Sequence, residues 1–485
     1  MDIRNLVNSE KLYSYYCNFL TFASHKRKGT FKNMMKKSHS LKATLAAMFM
    51  FCAMALAMTC GLKVEAATAA KISVSETGVV TGEAATYPVA IKVITAVTEN
   101  GYTVKPGIYY IGTDQKLAKV AATCAANFYD NGTETAKTPV ILATNVNPYV
   151  TDAATKTITS SIQLYTGSYK GKYYANGYAW TKLFWKNSTM YKSNNGAITN
   201  VAPTGRTPAG YQYYDVASNT VKTLKTKHFF KNGKHTTAVI QKEYYKSGIL
   251  ASNYTGWVTY NKKGYYIRKG IAVTGWQKKL PSYGKGVKTY TYYFNKDGVL
   301  DTNLIDNIGY SKFIQKDLKI ITNKTTHNTT FYYKRDGEWV PAVTVICATA
   351  AKKGDTPSGT FRLEKTWNKR WFVYTKTNGA PYRYYQWAVH IKGTPTLYHS
   401  STYRTKKANT LRADLYNKLG TSCTTHCIRL QAKYAKLIYD VATKTNKKRR
   451  VPVQIITSKN EGPFGHVSLT KVKSGTKWDP TDPNK

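Results

Sequence analysis

The chain has 485 residues, enough for two to four domains of ordinary size. Its 72 Lys and Arg outnumber 25 Asp and Glu, a formal charge of +47 that must spread over most of the surface and calls for a polyanionic partner. The basic residues are scattered and no nucleic-acid-binding motif is present, so an anionic cell-wall polymer fits better than nucleic acid.

Seven Cys are too few for a disulfide scaffold of this length, while 40 Tyr and 33 Gly point to short strands and tight turns. Met34-Met35-Lys36-Lys37 opens a basic stretch that runs to Lys42, and an apolar run follows from Leu45 to Met58. Val64-Glu65-Ala66 then gives a small-x-small cleavage pattern, the order of a secretory signal. The apolar run is too short for a comfortable membrane span, so no stable span is expected once the signal is cleaved. Residues 1–33 make an unusually long head, and the true start is expected at Met34 or Met35. Segment 1–66 is therefore set apart as signal peptide with a start-site extension. The mature chain, expected outside the cell or in its wall, keeps Cys124, Cys347, Cys423 and Cys427.

Residues 67–164 alternate polar and apolar positions, as in Val104–Ile111 and Thr138–Ala143, and read as a small β domain of unknown role. Residues 165–305 carry a repeat. Gly256-Trp257 recurs as Gly275-Trp276. Paired tyrosines precede a glycine three times: Tyr244-Tyr245 before Gly248, Tyr265-Tyr266 before Gly270, and Tyr292-Tyr293 before Gly298. Asp297-Gly298 suits a hairpin turn. Each unit reads as one hairpin that buries its aromatic face only by stacking on its neighbours. These units resemble the choline-binding-like cell-wall-binding repeats of secreted Gram-positive proteins, which form aromatic-lined β-solenoids. The resemblance implies wall targeting. Trp257, Trp276, Tyr266 and Tyr293 would then cage a quaternary ammonium or stack on a sugar; the same rings would equally hold a solenoid together without a ligand.

From 306 to 485 the texture changes. Asp317–Ile321 reads as a strand, Phe331–Glu338 as strand, turn and strand, and Val343–Cys347 as a third apolar strand. Then come Thr356-Pro357-Ser358-Gly359-Thr360-Phe361, His399-Ser400, Thr424-Thr425-His426-Cys427-Ile428-Arg429-Leu430, and a closing Trp478-Asp479-Pro480-Thr481-Asp482-Pro483. In content and order this series resembles the L,D-transpeptidase (YkuD-type) catalytic domain. The expected fold is mainly β: a C-terminal β-sandwich with a short helix after the catalytic Cys, preceded by solenoid-like hairpins and the small N-terminal β domain.

A cysteine attacks as its thiolate, so Cys427 needs a lowered pKa. Leu430–Val441 carries an apolar stripe of Tyr434, Leu437, Ile438 and Val441, and the N-terminus of that helix is expected to favour the thiolate. His399 is the candidate base. The resemblance implies a thioester on Cys427 made from a peptidoglycan stem peptide, with His399 activating the thiol and the Ser400 carbonyl orienting His399. It also implies substrate contacts from Arg429, Thr424, Thr425 and Tyr403, with no cofactor and no metal. A zinc site from Cys423, His426 and Cys427 lacks a fourth ligand.

The motif departs from the family at two places. Where the family has Ser-His-Gly-Cys, this chain has Thr424-Thr425-His426-Cys427. The family glycine is expected to serve a tight backbone path, which a side chain at His426 would obstruct. Either His426 stands in for the missing imidazole, or the domain binds stems without reacting. Cys347 and Cys423 are a candidate pair in an oxidising compartment.

Overall fold

The computed structural model describes residues 69–485, apart from 120–122, 134–136, 144–147, 285, 376–380 and 445–450. The expected signal at 34–66 lies outside the described residues. These residues are mainly β and divide into two compact units. One runs to Tyr165 and takes in Asn176–Tyr178; the other holds Thr166–Ala175 and Ala179–Lys485. No helix among the described residues is long and apolar enough to cross a membrane.

In the first unit Val89–Val93 lies inside a five-stranded sheet, antiparallel to Gly107–Ile111 on its edge and parallel to the central Thr123–Asp130. Its β-branched and aromatic residues form a core of Ile72, Val89, Ile91, Tyr109, Ile111 and Tyr129. The alternating stretch Val104–Ile111 spans parts of two short strands, Tyr102–Val104 and Gly107–Ile111, in different sheets. Pro106 between them has no N–H to offer a ladder, and the chain changes sheets there.

The second unit begins with hairpins. Gly256–Tyr260 pairs with Lys263–Arg268, Lys263–Arg268 with Ile271–Ala272, and Ile271–Ala272 with Glu243–Lys246 of the hairpin before. Asn261 and Lys262 both take positive φ, the two-residue turn that matches strand twist. Gly248 and Gly270, each three or more residues past a tyrosine pair, have φ of 76° and 79°. A Cβ on Gly248 would lie 2.6 Å from the side chain of His235, and one on Gly270 would lie 2.9 Å from the backbone of Ala251 and Ser252. The recurrent glycine is thus the point where one hairpin touches its predecessor.

The C-terminal part is built on ten strands: β1 Leu318–Asn323, β2 Asn328–Arg335, β3 Glu338–Ala350, β4 Gly359–Thr375, β5 Pro381–Ile391, β6 Leu397–His399, β7 Thr402–Tyr403, β8 Ser422–Thr424, β9 Ile428–Leu430 and β10 Pro452–Ile456. Their order is β2-β1-β10-β4-β5-β6-β9-β3-β8, and a further β2–β3 pairing closes the ring. The long strands β3 and β4 each serve two neighbours in succession. β3 pairs with β2 up to Ile346 and with β9 from Cys347, while β4 pairs with β10 up to Arg362 and with β5 from Leu363. The interior holds Phe331, Val343, Cys347, Leu363, Val389, Tyr398 and Ile428.

One helix, α1 (Ala432–Lys444), covers this core with Leu437, Ile438 and Val441 buried and Tyr434 partly so, the stripe read from the sequence. It starts later than expected, because Leu430 closes strand β9.

Gly337, in the Asp336-Gly337 turn between β2 and β3, also has positive φ, but a Cβ there meets nothing within 4 Å. Gly337→Ala is therefore expected to cost about 1 kcal/mol of stability from conformation alone. Gly270→Ala adds a backbone collision and is expected to cost about 2–4 kcal/mol. Urea unfolding of the two variants measures the difference, and equal losses would contradict the stacking role.

Candidate active site

The site is set where β6 and β9 run parallel, Tyr398 opposite Ile428 and His399 opposite Arg429. Directly opposed residues share a face, so His399 lies on the face of Arg429. Cys427 precedes β9 by one residue, and strand alternation carries that face to it.

His399 is buried, and its Nδ1 donates to the Ser400 carbonyl at 2.6 Å. That bond leaves Nε2 as the ring nitrogen with the free lone pair. Tyr385 packs over the imidazole, with ring centroids 4.1 Å apart. Burial and the Arg429 charge push the His399 pKa down to about 3, against the opposing pull of the Ser400 carbonyl. Burial raises the pKa of the Cys427 thiol, only partly offset by the Leu397 backbone and the Arg429 charge. At neutral pH the pair rests uncharged, as thiol and imidazole. Proton transfer between them would create opposite charges in a dry site, where each stabilises the other.

The expected help from a helix N-terminus is not available to Cys427. Strand β9 separates the thiol from α1, and Asp479 occupies the helix start: the Ala432 N–H donates to Asp479 Oδ2 at 2.9 Å and the Lys433 N–H to Thr481 Oγ1 at 3.3 Å.

The loop bearing the altered motif is held from Thr356. Its hydroxyl donates to the His426 carbonyl at 2.9 Å and accepts from the Ala350 N–H at 3.0 Å. Thr424 donates to the Cys427 carbonyl at 2.6 Å. His426 does not take positive φ, so its backbone needs no glycine, contrary to the expectation from the family. Its Nδ1 is buried without a hydrogen-bond partner, and Thr425 is exposed.

Arg429 is buried and meets no carboxylate among the described residues. Its Nη1 reaches the Leu415 carbonyl at 3.4 Å and Cys423 Sγ at 3.7 Å, and its Nε has no partner. Tyr403, expected among the substrate contacts, is instead buried, edge-on to Trp371, with its hydroxyl 3.4 Å from Asp482. The candidate pair Cys347 and Cys423 is not bridged, and all four described cysteines are free: Cys347 sits inside the barrel, while Cys423 turns to Arg429 and the Lys418 carbonyl.

The four repeat aromatics do not form one cage. Trp257 and Tyr266, paired across a hairpin, pack at 5.2 Å with Tyr283 and Tyr292 around them. Trp276 and Tyr293 pair in the next hairpin and pack against the barrel core instead, with the Arg335 guanidinium 4.0 Å from the Trp276 ring.

Sequence reading did not assign a role to Gln386, Arg370 or Asp482, yet together they brace His399-Ser400. The Gln386 N–H donates to Ser400 Oγ at 2.8 Å and the Ser400 N–H to the Gln386 carbonyl at 3.0 Å. The Gln386 side chain accepts from Arg370 at 2.7 Å and donates to Asp482 at 2.8 Å. The next residue, Trp387, is buried with φ of 51°, an unusual conformation for a bulky residue, and its ring lies 4.2 Å from the Arg370 guanidinium. The closing Asp-Pro-Thr-Asp motif was visible in the sequence, but nothing there said that it turns inward. Among the described residues no three His, Cys, Asp or Glu side chains cluster to hold a metal ion.

Residues 317–455 match the family model of the L,D-transpeptidase catalytic domain, YkuD. Among solved structures, the chain is similar to the LD transpeptidase LdtMt1 in complex with imipenem at 18% identity, covering 29% of this chain and 59% of that one, with a TM-score of 0.21. The catalytic domain of the E. faecium L,D-transpeptidase acylated by ertapenem matches at 19% identity over 29% of this chain and 98% of that one, TM-score 0.18. Choline binding protein F from Streptococcus pneumoniae, with a peptidoglycan analogue, matches at 14% identity over 65% and 93%, TM-score 0.16. The chain thus spans little more than half of LdtMt1. No curated protein sequence matches it.

The folded protein keeps His399 neutral down to about pH 3, whereas an unfolded chain protonates its histidine near about 6.5. The unfolded state therefore binds the extra proton between those values. The His399 contribution to stability is complete above about pH 6.5 and is lost progressively as pH falls toward 3. Urea unfolding of wild type and His399→Gln from pH 7 to 4 checks this. The wild type should lose stability more steeply, and parallel curves would contradict the buried neutral imidazole. The raised thiol pKa predicts that iodoacetamide alkylation of Cys427 climbs about tenfold per pH unit from 6 to 8.5 without a plateau.

Proposed function

We propose that this chain is a peptidoglycan L,D-transpeptidase that works through a thioester on Cys427. The observation that carries the reading is the placement of Cys427 at the head of β9, beside the strand whose His399 is locked by the Ser400 carbonyl with Nε2 free. A nucleophile, a base and a group that orients the base are the parts acyl transfer needs.

Cys427 Sγ attacks the carbonyl that joins the terminal D-alanine to a tetrapeptide stem. The C–S bond forms, the C–N bond breaks, and His399 carries the thiol proton to the departing amine. An amine of a second stem then attacks the thioester, gives its proton to His399, and restores the thiol. Arg429, with its buried unpartnered Nε, supplies positive charge as the thiolate develops. We further propose that the protein is exported to the cell wall, where the charge of +47 and the aromatic hairpins hold it to anionic polymer.

The second reading is a domain that binds stems without reacting. The raised thiol pKa favours it, since a resting thiol is a poor nucleophile. A carbapenem separates the two. Under the first reading, mass spectrometry finds one adduct on wild type and none on Cys427→Ala, and His399→Gln slows acylation by about 100-fold or more. If wild type stays unmodified while still binding isolated wall, the second reading holds. Full wall binding after removal of residues 165–305 would overturn the targeting role of the hairpins.

A further inference from the structure

The last hairpin, Gly275–Pro281 with Thr289–Phe294, docks on the outer surface of the barrel. Tyr292 donates to the Pro463 carbonyl and Ser282 to the Gly462 carbonyl, both at 2.6 Å. Thr291 donates to Glu338 Oε2 at 3.0 Å. Gly284 and Gly465 approach so closely that a Cβ on Gly284 would lie 2.4 Å from the Gly465 Cα. Between the docked hairpin and the outer face of β1, β2 and β10 remains a cleft of about 330 Å³.

The cleft is distinct in its charge. Lys319 stands on its floor, where strand alternation sends Leu318 and Ile320 into the core and Lys319 outward. Its ammonium lies 5.2 Å from the Tyr332 ring centroid and 4.9 Å from that of Trp339. Lys288 reaches in from the hairpin. Among the described residues no acidic side chain lines the cleft, and the remaining lining is mostly polar or aromatic, including Gln454, Thr289 and Tyr290, with Ile321 and Ile456 the aliphatic exceptions. Burial and the neighbouring charge of Lys288 both pull the Lys319 pKa down.

The exposed Lys288 and the half-buried Lys319 line the same cleft and repel each other. An oxyanion between them would relieve both the repulsion and the desolvation. The aromatic wall offers a flat surface for a ring carried by the same ligand.

We propose that this cleft is a binding site for an oxyanion on a polar, ring-bearing ligand, held between Lys288 and Lys319 and separate from the Cys427 site. Two sources carry that chemistry: the phosphoryl groups of an anionic glycopolymer and the carboxylates of a peptide stem. Because each wall comes from a different part of the chain, the site exists only while the hairpin is docked.

The test is calorimetric titration of the full chain with inorganic phosphate, glycerol phosphate and acetate, at constant ionic strength held with chloride. Saturable one-to-one binding of either phosphate probe assigns the phosphoryl source, and binding of acetate alone assigns the carboxylate source. In either case Lys319→Gln and Lys288→Gln are each expected to weaken binding about tenfold, and Lys319→Arg to retain most of it. Lys288 is exposed, so its variant keeps the test decisive if Lys319→Gln fails to fold. No binding of any probe, or binding undiminished in Lys288→Gln, would overturn the proposal. The Cys427→Ala chain should bind the same probe equally, which separates this site from the transpeptidase reading.

Discussion

The parallel pairing of β6 with β9 aligns His399 with Arg429 and sets Cys427 at the edge of the same face. These are two three-residue strands, too short to hold a register by themselves. Their neighbours hold it. β5 pairs with β6 on one side, and Cys347-Ala348 of β3 pairs with β9 on the other. Thr356 fastens the loop before Cys427 by the His426 carbonyl, and Gln386 fastens the Ser400 end of β6. Gln386 is in turn held by Arg370 and Asp482, so Asp482 is linked to the imidazole through Gln386, Ser400 and the Ser400 carbonyl bond to His399.

This bracing has an electrostatic consequence. The closure that fixes His399 also dries it, which holds the imidazole neutral and raises the neighbouring thiol. A site built this way rests uncharged and becomes an ion pair only when the proton moves. Arg429 acts in opposite directions on the two partners, easing the thiolate and opposing the imidazolium. Charge is therefore favoured on sulfur at the moment of attack more than on nitrogen at rest.

Much of this was legible in the sequence for a physical reason. Strand alternation and turn chemistry are local, so the mainly β fold, a turn within Phe331–Glu338 and the stripe Tyr434, Leu437, Ile438 and Val441 could be read directly. The ordered motifs singled out His399, which ends β6, and Cys427, which lies one residue before β9, and those two strands turn out to be neighbours. What depended on long-range packing was read less well. Helix α1 begins two residues past Leu430, and its N-terminus is taken by Asp479 rather than offered to the thiol. Tyr403 points inward and Cys347 is sealed in the barrel, away from any disulfide. The aromatics Trp257 and Trp276 look alike along the chain, yet the second is drawn to the barrel by Arg335, a residue outside the repeats. His426 proved easier to place than expected, because its backbone lies in a conformation open to any residue.

The central claim is that Cys427 is an acyl-accepting nucleophile served by His399. Intact-mass measurement of the full chain after incubation with a tetrapeptide stem tests it most directly. The account predicts a mass increase equal to the stem less its terminal D-alanine on wild type, none on Cys427→Ala, and D-alanine released in equal amount. A wild-type mass that stays unchanged while the stem is shown to bind, or an adduct that persists in Cys427→Ala, would contradict it.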